Sequence, residues 1–359
     1  MLRAAFVIPF AAALAFSPCR AQEPAARVLA VLRAHDPLRD GTGAAELLAP
    51  DRACDQALRD LAAAPTAGEP LVQRRALRLC RLLDLADLLA APSQPRDAAW
   101  WLACDEIARE TPAGLRTALL ARAFANPEAL AAATRELDAA NRLAERFCSE
   151  WNETRTTAPD DTEREQYRVY DELEAGLARA GQAAVPGLLR HLVPPPEATF
   201  AAREPAITAR HQVRALLALA AILKCKAALP YYVLHAQGPS LTQSADAALA
   251  VQQLGAVALG AAPLQAGDDA RLLAHWREHR AEHGAVLDHL VHHVVAAAVA
   301  ACDQAGAAQR TFATGAVARL YRVLDGDGKL VAGDDAAAWR AQLEAIADAW
   351  SLAHRRERR

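Results

Sequence analysis

Apolar residues recur every three to four positions along most of this chain, the spacing that places them on one face of an α-helix. Alanine and leucine, both strong helix formers, supply much of the apolar content, whereas aromatic residues make up 5%. No stretch alternates between apolar and polar residues as a half-buried strand does. The sequence therefore predicts an all-α protein. In its first half, helices are expected over residues 24–34, 51–64, 71–90, 97–110 and 126–151, with a further helix capped by Thr111 and opened by Pro112.

The second half contains two helical hairpins in which a proline opens the second helix. In the first hairpin, a helix over residues 163–180 ends at Gly181, and Val185-Pro186 starts the next helix. In the second hairpin, a helix over residues 208–225 is followed by Leu229-Pro230. Proline is tolerated in the first turn of a helix because the N–H that it lacks would have no partner there. Hairpins that recur in this way predict stacked helical repeats.

Several short motifs between residues 162 and 283 share this pattern. They are Ala184-Val185-Pro186 with Leu188 and Leu189, Val213-Arg214 with Ala215 and Leu216, Ala228-Leu229-Pro230, and Trp276 followed by Glu278, His279 and Arg280. In these motifs the stretch resembles HEAT and HEAT-like repeat proteins. The resemblance implies a right-handed α-solenoid of stacked helical hairpins, and it implies a protein partner, since such solenoids bind proteins on a concave face.

The N-terminus has the composition of a secretory signal peptide. Met1-Leu2-Arg3 precedes an apolar stretch over residues 4–16, and small residues lead to Ala21. That stretch is too short to span a bilayer comfortably, and no later stretch reaches about 18 apolar residues without a charge. We therefore expect cleavage after Ala21, export to the periplasm or the medium, and no transmembrane segment in the mature chain.

Composition divides the remaining chain into four expected parts. Residues 152–161 are polar and rich in threonine, and they are the best candidate for a linker. The other parts are N-terminal helical hairpins over residues 22–151, HEAT-like repeats over residues 162–283, and C-terminal helices over residues 284–359. Whether the N-terminal hairpins belong to the same array as the repeats is left open.

Six cysteines remain once the signal peptide, which includes Cys19, has been removed. An even number in an exported chain permits disulfide bonds. Cys54 and Cys80 are expected on consecutive antiparallel helices, so we predict that these two can be joined. The alternative is that all six are small core residues, because a reduced cysteine is commonly buried.

Charge and motifs favour a binding protein over an enzyme. The net charge is −3 and the pI is about 6.4, which does not indicate a nucleic-acid-binding surface. No nucleophile elbow, phosphate-binding loop, dinucleotide fingerprint or kinase motif occurs. The leading hypothesis is therefore an exported, non-enzymatic helical-repeat scaffold for a protein partner.

A histidine cluster supports the alternative hypothesis of a metal-binding protein or metalloenzyme. The histidines lie on two neighbouring predicted helices, with His275, His279 and His283 on the first and His289, His292 and His293 on the second. A spacing of four residues places the first set in one stripe. In an antiparallel pair, His279 faces His289 and His275 approaches His293, and four imidazoles so placed could hold zinc or copper. The same stripes are also typical of a polar helix flank.

A second candidate metal site is the segment Asp325-Gly326-Asp327-Gly328-Lys329-Leu330. With Gly328 at the sixth position it resembles an EF-hand or dockerin-type calcium loop, which takes oxygens at defined positions. Those oxygens would come from the side chains of Asp325, Asp327 and Asp334 and from the backbone of Lys329. The first position is Val323, which has no side-chain oxygen, so we expect calcium binding to be weak or absent. The alternative is a polar turn between two helices.

The calcium hypothesis predicts that Val323→Asp creates a measurable site. The added carboxylate supplies the missing first ligand, and Gly328 permits the sharp bend that such a loop needs. Isothermal titration calorimetry with calcium should detect binding by the variant and little by the unmodified chain. Tight binding by the unmodified chain would contradict the argument that Val323 removes a ligand. No gain in the variant would contradict the EF-hand-like loop geometry.

Overall fold

The computed structural model describes residues 24–48, 52–63, 69–91, 95–124, 126–150 and 160–191, and beyond them the single residues Arg214, Ala215, Ala218, Leu219, Ile222, Ala341, Ala345 and Asp348. Within this part, 86% of the residues are helical and none is in a strand, which confirms the all-α prediction. The helices are α1 (Pro24–Ala34), α2 (Pro37–Asp40), α3 (Ala44–Leu47), α4 (Asp55–Ala63), α5 (Pro70–Ala90), α6 (Ala98–Asp105), α7 (Ala113–Ala123), α8 (Pro127–Glu150), α9 (Asp161–Ala180) and α10 (Val185–Arg190). A π-helical turn, Glu106–Glu110, continues α6, and a 3₁₀ turn, Gly181–Ala184, leads into α10.

Several helix ends follow from capping residues that the sequence displays. The Asp97 carboxylate accepts a hydrogen bond from the Trp100 N–H at 3.0 Å and so caps α6. The Asn126 side chain accepts from the Glu128 N–H at 2.7 Å at the start of α8. Gly181, with φ of +55°, follows α9 in the left-handed region, and Pro186 lies in the first turn of α10. The expected bounds of α1 and the expected starts of α8 and α10 are confirmed.

Two local predictions were wrong. Thr111 does not cap α7, because its hydroxyl donates backwards to the Ile107 carbonyl at 2.7 Å and so satisfies the end of the π turn. Pro112 lies just before α7 instead of inside it. The short helix α2 after α1 has a local cause, because the Asp36 carboxylate accepts from the Leu38 N–H and Pro37 occupies the first turn.

Apolar side chains from α1 to α10 form a single buried cluster, to which Ala215 and Leu219 also belong. The long helix α5 lies in its middle and packs against α1, α4, α6 and α7. Its apolar residues cover most of its surface, which is typical of a helix with neighbours on several sides. Ala76, Leu79, Cys80, Leu83 and Ala86 are completely buried.

The helices after residue 160 pack onto those before residue 150. Helix α8 contacts α9 and α10, and α6 contacts both the 3₁₀ turn and α10. The backbone N–H of Ala98 at the start of α6 donates to the Gln182 side-chain oxygen in that turn. The core therefore continues across the segment that separates α8 from α9.

Single residues further along the chain also contact these helices. The Arg214 guanidinium is buried and donates to the Cys148 carbonyl at the end of α8 at 2.7 Å. Ala215, Ala218, Leu219 and Ile222 are helical and have the i, i+3, i+4, i+7 spacing of one face. Asp348 forms ion pairs with α5. None of the helices in the described ranges combines the length and apolar character needed to cross a membrane.

Candidate functional site

The end of α6 carries two adjacent buried carboxylates, Asp105 and Glu106. They follow the apolar run from Ala98 to Cys104 and are 2% and 6% exposed. Successive residues of a helix point about 100° apart, so the two carboxylates face different neighbours. Glu106 begins a π turn, a rare form that is frequently found at functional sites. We call Asp105, Glu106 and their polar partners the α6 charge site.

Glu106 faces α5, where its partner is Arg81. Both oxygens of the carboxylate accept hydrogen bonds from the guanidinium, one from Nη1 and one from Nη2 at 2.7 Å. Both side chains are more than nine-tenths buried. A bidentate pair of this kind fixes the relative position of two helices more closely than apolar contact does, because both distance and orientation are constrained.

Asp105 faces a different side of the helix, towards α8 and α10. One of its oxygens accepts from Asn141 Nδ2 at 3.3 Å and forms an ion pair with Arg109 Nε at 3.2 Å, and the other accepts from Arg190 Nη2. Arg109 also pairs with Asp138 of α8. The buried carboxylate is thus held by two guanidinium groups and one amide, and it joins three helices at one point.

Helix α10 reaches this point only because residue 187 is glycine. A Cβ atom at Gly187 would lie 2.8 Å from Ala144 Cβ and 2.8 Å from Asn141 Oδ1, both on α8. Real Cβ atoms are almost never found at such distances, so any larger residue would push α10 away from α8. Asn141 Oδ1 is buried without a hydrogen-bond partner and lies next to Gly187.

A second group of paired charges lies between α4, α5 and α7. Arg122 of α7 binds both oxygens of Asp55, at 2.8 and 2.6 Å, and also contacts Asp87 of α5 at 3.0 Å. Hydrogen bonding to Asp55 is the largest effect that raises the pKa of Arg122. Burial lowers the pKa of Arg59, but its bond to Asp84 and the nearby negative charges outweigh burial and raise it. Both arginines therefore remain charged.

The described cysteines are buried thiols, so the predicted Cys54–Cys80 bond is wrong. The Cys54 sulfur instead accepts hydrogen bonds from Arg27 of α1, from Nη2 at 2.9 Å and from Nε at 3.3 Å. Burial raises the pKa of Cys104 and that of Cys148 to about 12, and the charge of Asp105 adds to the effect at Cys104. A thiol must lose its proton to act as a nucleophile or a metal ligand, so these two are unreactive at neutral pH.

The predicted metal-binding residues lie outside the described part of the chain. They are Asp325, Asp327, Lys329 and Asp334 of the calcium loop and His275, His279, His289 and His293 of the histidine cluster. Both sites remain predictions. Within the described ranges, no three His, Cys, Asp or Glu side chains are grouped so that they could hold a metal ion.

Comparisons with protein-family models, with curated proteins and with solved structures find no match for this chain.

The sequence analysis did not identify the α6 charge site, although part of its signal is visible. Arg81 lies four residues after Leu77 and four before Leu85, and so falls on an apolar stripe. Asp105 and Glu106 directly follow seven apolar residues. A charge in such a position predicts a buried pair, since an unpaired charge would be costly there. The identity of each partner depends on packing and has no local signal.

We predict that Asp105→Asn lowers the free energy of unfolding by about 2–3 kcal/mol. The substitution keeps the shape of the side chain but leaves two arginines without their shared carboxylate, and loss of one partner of a buried pair typically costs about 3–5 kcal/mol. The lower figure applies because Arg109 and Arg190 are partly exposed and water can solvate them. Urea unfolding followed by circular dichroism measures the change.

The matched control is Asp138→Asn, which removes the other carboxylate partner of Arg109. Asp138 is 40% exposed, so its loss should cost less than about 1 kcal/mol. Equal changes in the free energy of unfolding would show that burial of Asp105 does not increase the cost of losing its charge.

The raised thiol pKa values predict a loss of stability in alkaline solution. Between pH 9 and 12 the unfolded chain releases the protons of Cys104 and Cys148, whose ordinary pKa is 9.0, while the folded chain retains them up to about pH 12. Stability is therefore fully present below pH 9 and falls as the pH rises, by up to about 1.4 kcal/mol per pH unit for each thiol.

Urea unfolding at pH 8 and at pH 10 tests this effect. The Cys104→Ala and Cys148→Ala variants should each reduce the difference between the two pH values by about 1 kcal/mol, and the double variant by about twice that amount. A difference that is the same in all four proteins would show that the thiols already ionise in the folded state.

Proposed function

We propose that this chain is an exported helical-repeat protein that acts as a non-enzymatic scaffold and binds another protein. The observation that carries the proposal is the way in which the α9–α10 hairpin packs as a unit. Its 3₁₀ turn binds the start of α6 through Gln182, and its last residue, Arg190, binds the end of α6 through Asp105. The turn and α10 thus follow α6 from its start to its end, as one helix of a hairpin follows its neighbour in a stacked array.

The contact pattern of the other helices supports the same arrangement. Helix α6 contacts both α5 and α10, and α8 packs against both α9 and α10. In an α-solenoid each hairpin buries one face against the hairpin before it and one against the hairpin after it. Val185-Pro186 opens α10, and the sequence predicts that Leu229-Pro230 opens a corresponding helix. We extend this order to residues 162–283 and propose a right-handed solenoid of HEAT-like hairpins.

The use of buried charge also supports a scaffold. Glu106 is engaged by Arg81, and Asp105 by Arg109, Asn141 and Arg190, so these carboxylates hold helices together. A carboxylate occupied in this way is poorly placed to exchange protons with a substrate. We assign these groups a structural role and assign binding to the exposed faces of the helices.

Site-specific photo-crosslinking in the native host tests the proposal. A photoreactive amino acid replaces one exposed alanine at a time, at Ala63 of α4, Ala139 of α8 or Ala175 of α9, where an added side chain disturbs no packing. We expect the positions on one side of the array to capture the same protein, and that protein, once purified, to bind the purified chain. Positions on the other side and samples kept in the dark serve as controls.

Two outcomes would contradict the proposal. The first is that no position captures a protein that also binds the purified chain. The second is that fractionation finds the chain in the cytoplasm with residues 1–21 still attached. Stoichiometric zinc or copper in protein purified without a tag would favour the metal-binding alternative.

A further inference from the structure

Asp348, near the C-terminal end of the chain, is held by two arginines of α5. One carboxylate oxygen lies 2.8 Å from Arg74 Nε, and the other accepts from Arg78 Nε at 3.0 Å. Arg78 Nη2 contributes a further contact at 3.4 Å. The Asp348 side chain is 13% exposed, so this contact is shielded from water much more than a typical surface ion pair.

The two arginines are part of a stripe on α5 that faces away from the core. Leu71, Arg74 and Arg78 are spaced by three and four residues and so lie on one side of the helix. Leu71 is 53% exposed, and it is the one exposed large apolar residue in the described part of the chain. We call these three residues the α5 stripe. It offers two guanidinium groups for a carboxylate and an apolar contact one turn away.

The segment that supplies Asp348 is helical at each of its described positions, Ala341, Ala345 and Asp348. Ala341 and Ala345 are exposed, whereas Asp348 is largely covered by α5. Among these three residues the carboxylate therefore makes the contact with the stripe. Arginine is well suited to such a contact because its planar group can hold a carboxylate through two N–H donors.

We propose that the α5 stripe is a binding site for a carboxylate-bearing helix, and that the C-terminal segment of this chain occupies it as an intramolecular clasp. This part of the proposal rests on the proposed scaffold function. An acidic helix of a partner could bind the stripe only after the clasp had opened. Because this segment belongs to the same chain, its binding to the stripe is intramolecular and competes directly with that of any external helix.

The test uses the full chain and a fluorescently labelled peptide of residues 335–354 that contains Asp348. The Asp348→Lys chain carries a tethered segment that the two arginines repel, so its stripe becomes available to the peptide. Fluorescence anisotropy at low ionic strength should show at least tenfold tighter binding to this variant than to the unmodified chain. A peptide with Asp348→Asn should lose most of this binding.

Further variants separate the clasp from a general effect of charge or of misfolding. Adding Arg74→Glu and Arg78→Glu to Asp348→Lys should abolish peptide binding and return the hydrogen-exchange rates around position 348 to those of the unmodified chain, because the reversed charges attract again. The control pair Arg164→Glu and Arg168→Glu changes the same number of charges on the exposed face of α9 and should leave peptide binding unchanged.

The proposal is overturned if the peptide binds the unmodified and Asp348→Lys chains equally. It is also overturned if the charge reversal on α5 changes neither peptide binding nor hydrogen exchange. Because the assay requires no external partner, failure to find a partner by photo-crosslinking would contradict the scaffold function and leave the clasp itself standing.

Discussion

The pairing of Asp105 and Glu106 with arginines on two different sides of α6 is the interaction on which the packing of the described helices depends. Apolar faces of helices pack at several offsets with similar energy, because the hydrophobic effect has no direction. A buried charge has no such freedom, since a shift that breaks its hydrogen bonds leaves it both desolvated and unpaired. Glu106 therefore sets the position of α6 on α5, while Asp105 sets the positions of α8 and α10 on α6. Two adjacent residues thus link α6 to three other helices.

The arginines of α5 extend this principle around the helix. Arg75 donates to the backbone carbonyls of Leu32 and His35 and so holds the end of α1. Arg81 points to Glu106 of the α6 charge site, and Arg74 and Arg78 point to Asp348. Four arginines within eight residues thus contact three different parts of the chain. Apolar residues cover most of the surface of α5 and do not by themselves determine which segment packs where. Each arginine contact fixes the position of one particular neighbour.

The sequence was sufficient to predict what depends on local interactions. Apolar spacing predicted an all-α chain, and the capping residue Asn126 and the proline Pro186 located the starts of α8 and α10, because a cap or a ring acts within one turn. Local rules failed where a side chain had a choice of partners. Thr111 is of a residue type that commonly caps helices, yet its hydroxyl donates to the Ile107 carbonyl in the π turn. Cys54 had the position of a disulfide partner, yet its sulfur lies beside Arg27. The α6 charge site was missed for the same reason, because Arg81 and Glu106 lie 25 residues apart and meet only after α5 and α6 have packed.

The contact between Asp348 and α5 limits the form that the proposed solenoid can take. In a simple linear array each hairpin contacts its immediate neighbours, so a residue 270 positions away from α5 would lie at the opposite end. A long closed loop costs little more conformational entropy than a short one, since this cost grows with the logarithm of loop length. The separation of 270 residues along the chain is therefore a small additional obstacle to this contact. In the proposed array, this contact would bring a residue near the end of the chain back to α5. A partner could then reach the α5 stripe only after Asp348 had been released.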